Sequence, residues 1–244
     1  MLGLGTDITS SSYVSLDLKD ATTDLELWFK NGVGVTSAKW DDSSGNANHA
    51  SQATESNQAT VSGGGLDFES GQSDHYDLAS SISIGYRGGF CMAIVVTRES
   101  TNAHAVFSDS STEMLQFQGN TTTFRIKTNT GSSGSQDIVT DAVFPAGTFA
   151  SGSKFLFLIN RSIGTSNVFS FFKNGNALTA DVDTSTNEAT GENPNGFDFD
   201  TFGSKEGTAN FFDGIIHEVA FWSKGLSTQE ITDVNDYLKS VHGL

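Results

Sequence analysis

The most oxygen-rich stretch of the chain is the loop at residues 40–49, which reads WDDSSGNANH. Its aspartate, serine and asparagine side chains offer carboxylate, hydroxyl and amide oxygens next to backbone carbonyls. Ca²⁺ takes about six to eight oxygen ligands of this kind, although the spacing is not that of an EF-hand. The same side chains could instead cap backbone amides in an Asx-turn loop. The sequence therefore predicts either a calcium-binding loop or an Asx-turn loop here.

Paired carboxylates are the second feature that could do chemistry. Asp181 and Asp183, and likewise Asp198 and Asp200, fall on one face of a strand because they are two residues apart. A retaining glycosidase holds two carboxylates together in this way. Neither pair has a partnering acid in the sequence pattern, so we interpret both as the solvated side of amphipathic strands.

The remaining reactive residue types form no recognisable set. The five histidines, His49, His75, His104, His217 and His242, lack the spacing of a metalloprotease, and no Ser-His-Asp set can be selected. The single cysteine, Cys91, lies in an apolar run and is expected to be a small core residue. We therefore expect that the protein is not an enzyme.

A strand near the C-terminus is expected to organise the fold. Read as a strand, residues 212–222 place apolar side chains on both faces. This pattern is typical of a strand inside a two-layer structure. Plain alternation assigns Ile215, Val219 and Phe221 to one face, and Ile216, Ala220 and Trp222 to the other.

A short helix is predicted after this strand. Ser227 and Glu230 have the spacing of a capping box, and Leu226 and Ile231 are placed to form a hydrophobic staple. The apolar residues that recur at helical spacing, and that should dock on the body, are Ile231, Val234, Leu238 and Val241.

The rest of the chain reads as roughly a dozen short strands separated by turns, which favours a β-sandwich or jelly roll. One hairpin is marked by Asn174-Gly175 between two strand-like runs. Residues 1–20 are rich in Gly, Ser and Thr around the alternating Val14, Leu16 and Leu18, so we predict an N-terminal arm. Residues 21–244 are predicted to form one domain.

Four stretches carry a resemblance to a known family: LELWF at 25–29, WDDSSGNANH at 40–49, GLDFE at 65–69 and the strand-helix segment at 212–231. They resemble the concanavalin A-like lectin/glucanase superfamily, and within it the laminin-G-like (LamG or pentraxin-type) domains found in secreted bacterial proteins and in structural proteins of tailed phages, marine ones included. The resemblance extends from about Asp24 to the end. It implies an all-β, two-sheet antiparallel β-sandwich or jelly roll with a short C-terminal helix.

The resemblance also implies candidate ligands for a metal. In laminin-G-like relatives the loop corresponding to residues 40–49 often packs near the last strand, where a structural calcium ion is sometimes held. This implies Asp42, Asn46 and Glu218 as calcium ligands in this chain. No other cofactor is expected.

A sugar site is implied less directly. The resemblance places the three tryptophans, Trp28, Trp40 and Trp222, in or beside the core. Tyr76 and Tyr86 remain as candidate platforms on which a sugar ring could stack. The E-x-D-x-E or E-x-D-x-x-E run of the glucanases does not occur.

The charge balance excludes two classes of partner. With 13 basic and 29 acidic residues, the net charge is 13 − 29 = −16, which repels both nucleic acid and an acidic membrane surface. The first residues lack the basic region and apolar core of a secretory signal, so we expect synthesis in the host cytoplasm without a signal peptide and a final location in the virion, which leaves the cell by lysis.

Two functions from different classes remain. The first is a virion structural protein of a tailed phage, decorating the capsid or tail, attached to other virion proteins and to its own copies through the N-terminal arm. The second is a carbohydrate-binding, lectin-like module that contacts glycans.

Overall fold

The computed structural model describes residues 17–85, 88–110, 113–128, 138–162, 168–185 and 196–244. Two helices and eighteen strands lie in this described part, with short 3₁₀ turns at Glu55–Asn57 and Ser70–Gln72. In chain order they are α1 (Leu18–Ala21), β1 (Leu25–Phe29), β2 (Val35–Thr36), β3 (Lys39–Trp40), β4 (Ala50–Ser51), β5 (Thr60–Ser62), β6 (Gly65–Phe68), β7 (Tyr76–Ile84), β8 (Phe90–Arg98), β9 (His104–Ser110), β10 (Glu113–Phe117), β11 (Thr123–Thr128), β12 (Ile138–Val143), β13 (Lys154–Ser162), β14 (Val168–Lys173), β15 (Asn176–Leu178), β16 (Asp181–Ser185), β17 (Phe197–Phe202), β18 (Gly214–Trp222) and α2 (Thr228–His242).

The strands form two antiparallel sheets that pack face to face, as the sequence predicts. Among the described residues, the eight-stranded sheet has the order β15-β14-β13-β8-β18-β6-β5, with β1 also paired to β18. The ten-stranded sheet has the order β16-β12-β11-β10-β9-β17-β7-β4-β3-β2. Neither helix in this part of the chain is long and apolar enough to cross a bilayer.

The main core lies between the two sheets and is rich in phenylalanine. Phe199 contacts rings from both sheets. Its centroid lies 4.6 Å from that of Phe107 in the ten-stranded sheet and 4.8 Å from that of Phe221 in the eight-stranded sheet. Edge-to-face and tilted contacts of this kind add to the stabilisation from apolar burial. The inward-facing residues of both sheets therefore form one continuous core.

Strand β18 has apolar residues on both faces, as predicted, but the assignment of residues to faces needs one correction. The register slips between Ile216 and Glu218, so His217 is an extra residue on this strand. Because a bulge shifts the alternation by one, Ile216 joins Val219 and Phe221 in the core between the sheets. Ile215, which plain alternation grouped with Val219, lies on the opposite face.

A second, smaller core lies on the outer face of the eight-stranded sheet, where α2 docks. Ser227 caps α2 in a full capping box with Glu230, and Leu226 and Ile231 are both buried in this second core, as predicted. The predicted apolar face is wrong at its end, however, because Val241 is 48% exposed. His242, four residues after the buried Leu238, occupies the buried position of the last turn instead.

The hairpin at Asn174-Gly175 is confirmed. Both residues have positive φ angles, 50° and 78°, as a two-residue turn of type I′ requires. The turn joins β14 to β15, and Phe172 pairs with Ala177 across it.

The described N-terminal residues pack on the body, in contrast to the predicted arm boundary after residue 20. Asp17 caps the short helix α1 by accepting a hydrogen bond from the amide of Lys19. Leu18 is fully buried in the second core. It lies in helix α1 and not in the strand that its alternation with Val14 and Leu16 suggested. Residues 1–16 lie outside the described part of the chain.

Candidate functional site

Glu218 lies at the centre of a buried polar network under α2. Its side chain is fully buried, and its two oxygens accept hydrogen bonds from Nε1 of Trp28 (2.7 Å) and Nε2 of His242 (2.8 Å). Strands β1 and β18 position the first contact, since Trp28 pairs with Ala220 across the sheet. The last turn of α2 supplies the second. The network therefore joins the first strand, the last strand and the C-terminal helix.

The loop at residues 40–49 is organised around Asp42. One oxygen of Asp42, Oδ1, accepts hydrogen bonds from the amides of Trp28 (2.9 Å) and Ser44 (2.8 Å). The other, Oδ2, accepts from the Ser44 hydroxyl (2.7 Å) and the amide of Asn48 (3.0 Å). The side-chain nitrogen Nδ2 of Asn46 donates to the backbone carbonyl of Leu25 at 2.8 Å. These contacts form an Asx turn that is fastened to β1.

Trp28 is the residue that links two of the three predicted metal ligands through hydrogen bonds. Its backbone amide bonds to Asp42 and its indole nitrogen bonds to Glu218. All four carboxylate oxygens of these two residues already accept hydrogen bonds, and Asn46 uses its amide nitrogen to hold β1. A calcium ion would have to share these oxygens. The hydrogen bonding favours the Asx-turn interpretation, and the calcium ligands Asp42, Asn46 and Glu218 stay a prediction.

The prediction that Tyr76 is a platform for a sugar ring is wrong. Its side chain is fully buried in the main core, where its hydroxyl donates to the carbonyl of Ser37 (2.6 Å) and accepts from the amide of Ala59 (2.9 Å). A ring with no exposed face cannot stack on a sugar. Tyr86 lies outside the described residues. Trp28, Trp40 and Trp222 are buried, as expected.

Strands β9, β10 and β17 of the ten-stranded sheet bring together a group of acids that sequence reasoning missed. Asp109 of β9 and Glu113 of β10 are hydrogen-bonded to each other, and an oxygen of Glu113 also accepts from the amide of Asp198 at 3.2 Å. Burial, and then the charges of Asp109 and Asp198, raise the pKa of Glu113. Asp198 and Asp200 therefore do have partnering acids, because β9, β10 and β17 come together only in the folded sheet.

The pair Asp109 and Glu113 does not have the spacing of glycosidase carboxylates. Glycosidases hold their two carboxyl groups at least about 5 Å apart to leave room for the substrate or a water molecule. Asp109 and Glu113 instead share a hydrogen bond, so they lie too close together for those roles.

The prediction that Cys91 is a core residue is confirmed, since its side chain is fully buried and burial raises its pKa.

Comparison with known proteins places these features in a family context. A laminin G family model, described as the concanavalin A-like lectin/glucanases superfamily, matches residues 69–232. No curated protein matches the sequence significantly.

Solved structures with the same fold are distant in sequence. The binding domain of Paraclostridial Mosquitocidal Protein 1 matches with a TM-score of 0.59 and 15% identity, over 91% of this chain and 53% of that one. The sialidase of Trypanosoma rangeli matches with a TM-score of 0.51 and 14% identity, over 91% of this chain and 33% of that one. The chain thus spans about half the length of the first structure and a third of the second. At this level of identity the similarity shows the fold alone.

Proposed function

Since this chain belongs to the concanavalin A-like lectin/glucanase superfamily, we propose that it is a non-catalytic member that serves as a structural protein of a tailed-phage virion and is attached through its N-terminal residues. The family's range of functions includes binding and structural roles, so the choice between them rests on the surface of this particular chain.

The observation that carries the proposal is the scarcity of apolar surface on the body. Large exposed hydrophobic residues in the described part of the chain are all valines, with no exposed aromatic ring among them: Val33, Val61, Val143, Val182 and Val241. Stable interfaces are usually built around buried aromatic and aliphatic anchors. A chain with a net charge of −16 and a body of this kind repels its own copies. Attachment by a separate segment agrees with that surface.

The N-terminal junction supports the same proposal. Leu18 is buried in the second core, Lys30 lies 3.4 Å from a carboxylate oxygen of Asp17, and Nε1 of Trp222 donates to the hydroxyl of Thr22 at 2.7 Å. The chain is therefore fixed on the sandwich from Asp17 onward. Residues 1–16 are joined to the body at a firm anchor point, which would transmit attachment to the whole domain.

Deleting residues 2–16 should leave a folded sandwich that no longer incorporates into particles. The packing of α1 against α2 is retained, so the melting temperature should change by no more than about 2 °C, as for a surface change. Mass spectrometry of purified particles measures incorporation. Deleting residues 2–20 is the matched control, because it also removes the buried Leu18 and should lower the melting temperature. Full occupancy of the 2–16 deletion would contradict the proposal.

A second candidate function is glycan binding, which the polar outer face of the ten-stranded sheet favours. Arg125 donates two hydrogen bonds to Asp141, at 2.8 and 2.7 Å, and both side chains remain partly exposed. Planar polar groups of this type orient ligands by hydrogen bonding. The virion proposal and this one are compatible if the outward face of a virion protein contacts host or environmental glycans.

Binding on a glycan array tests the second candidate. If Tyr86 supplies the stacking platform, Tyr86→Ala should abolish the signal, because stacking on an aromatic ring contributes much of the affinity of such sites. Tyr76→Phe is the matched control and should bind like the unchanged protein, since Tyr76 is buried. An array without any binding to the unchanged protein would contradict glycan recognition.

A further inference from the structure

A cluster of acids lies at one end of the eight-stranded sheet, away from the docked helix. Glu69 directly follows β6, Glu99 directly follows β8, and Asp213 directly precedes β18, which runs between those two strands. The amide of Glu99 donates to the carbonyl of Asp213 at 3.0 Å, so these strand ends are aligned. Asp67 lies two residues before Glu69 and shares its face. Four carboxylates therefore converge on the outer face of the sheet.

Three of these carboxylates have the separation of ligands around one ion. Oxygens of Asp67, Glu69 and Glu99 all lie within 4.8 Å of one another. Two oxygens on opposite sides of a Ca²⁺ ion, each at roughly 2.4 Å, are about 4.8 Å apart. The carboxylate of Asp213 is held to one side by the amide and hydroxyl of Ser70, at 3.3 and 3.0 Å.

An independent observation comes from Asp74, which is only 1% exposed. One of its oxygens accepts a hydrogen bond from the amide of Glu69 at 2.8 Å, which holds the carboxylate beside the cluster. Its other oxygen, Oδ1, is buried and has no hydrogen-bond partner among the described residues, and the same is true of Oδ1 of Asp67. A buried carboxylate oxygen without a partner is costly. Both atoms point to a positive group at this place.

The electrostatics of the cluster agree with that reading. Burial, and then the charges of Glu69, Asp213 and Asp74, raise the pKa of Asp67. The carboxylates of the cluster form no ion pair with lysine or arginine within the described residues. The neighbouring His104 is buried, and burial together with Arg98 lowers its pKa to about 4, so it is uncharged at neutral pH. Asp67, Glu69 and Glu99 thus repel one another without an ion pair to lysine or arginine in the described part of the chain to offset the repulsion.

We propose that Asp67, Glu69 and Glu99 bind one Ca²⁺ ion on the outer face of the eight-stranded sheet, beside Asp74, which accepts a hydrogen bond from the amide of Glu69. Oxygen-only ligands on flexible acidic side chains suit Ca²⁺ better than Zn²⁺, which prefers nitrogen and sulfur, or Mg²⁺, which demands near-ideal octahedral geometry. The ion joins the ends of β6 and β8 across β18. This site is separate from the loop at residues 40–49.

Calcium titration of the full chain, freed of metal with a chelator, tests the proposal. Isothermal titration with CaCl₂ should show one site, and MgCl₂ should bind more weakly. At about ten times the dissociation constant, Ca²⁺ should raise the melting temperature by about 3–6 °C. The double variant Glu69→Gln/Glu99→Gln should bind Ca²⁺ at least about ten-fold more weakly. Glu55→Gln, an exposed acid outside the cluster, is the matched control and should bind normally.

The metal-free melts keep the test independent of folding defects. Because Glu69 and Glu99 are exposed and repel their neighbours, the double variant should melt at or above the temperature of the unchanged protein without metal. Unchanged calcium affinity in the double variant would overturn the proposal and would direct attention to Asp42, Asn46 and Glu218 instead. Failure of the unchanged protein to bind CaCl₂ would also overturn it.

Discussion

Replacing Glu218 with alanine should lower the free energy of unfolding by about 3–5 kcal/mol. The change removes the acceptor for the indole nitrogen of Trp28 and for Nε2 of His242, both of which are buried. Two donors are then left without partners in a site that water cannot reach, and a small cavity remains under α2. Urea denaturation in the presence of a chelator measures this loss without any contribution from metal.

Two variants make the Glu218 test specific. Glu218→Gln should cost less than Glu218→Ala, because its amide oxygen still accepts from Trp28 and its amide nitrogen can bond to the other tautomer of His242. Asp236→Ala changes an exposed acid on α2 and should stay within about 0.5 kcal/mol of the unchanged protein. If Glu218→Ala loses less than about 1 kcal/mol, the network does not hold the helix.

Replacing Leu238 with alanine should lower the free energy of unfolding by about 2–5 kcal/mol. Leu238 is 1% exposed and lies in the second core, which also contains Trp222 and Leu158 of the sheet. Truncation leaves a cavity where α2 docks on the sheet, and close-packed neighbours can refill it only in part. Thermal or urea unfolding followed by tryptophan fluorescence measures the effect, since Trp222 lies in the same cluster.

Val241 supplies the matched control for Leu238. It lies in the last turn of the same helix but is 48% exposed, so Val241→Ala should change stability by no more than about 0.5 kcal/mol. A protein truncated after Trp222 loses all of α2 and exposes Ala220 and Trp222, and should melt well below the full chain. Equal melting temperatures for the truncated and full proteins would show that α2 is not integral to the fold.

Local patterns predicted the elements of this fold well. The last strand was predicted within residues 212–222 and occurs at Gly214–Trp222, because its apolar residues alternate on both faces. The capping box of α2 and the Asn174-Gly175 turn depend on residues within a few positions of each other. Interactions of this range are set by backbone conformation and side-chain type, so they can be predicted without knowledge of tertiary contacts.

Patterns failed where a neighbouring element decided the outcome. The bulge at His217 reversed the expected faces of Ile215 and Ile216, and alternation alone contains no signal for an inserted residue. Tyr76 was predicted to be an exposed platform, yet it is buried and bonds to two separate connecting segments, which supply Ser37 and Ala59. Such errors arise because strand alternation specifies two faces but not which one is covered.

The sequence by itself determined the sandwich, its last strand, its C-terminal helix and the Asx-turn alternative for the loop at residues 40–49. Only the tertiary structure decided which acids meet. Glu69 and Glu99 are thirty residues apart in sequence and become neighbours because β6 and β8 flank β18. Likewise, Glu218 meets His242 only when α2 docks. Electrostatic interactions depend on distance in space, and strand order in a sheet, which local pattern does not encode, sets that distance.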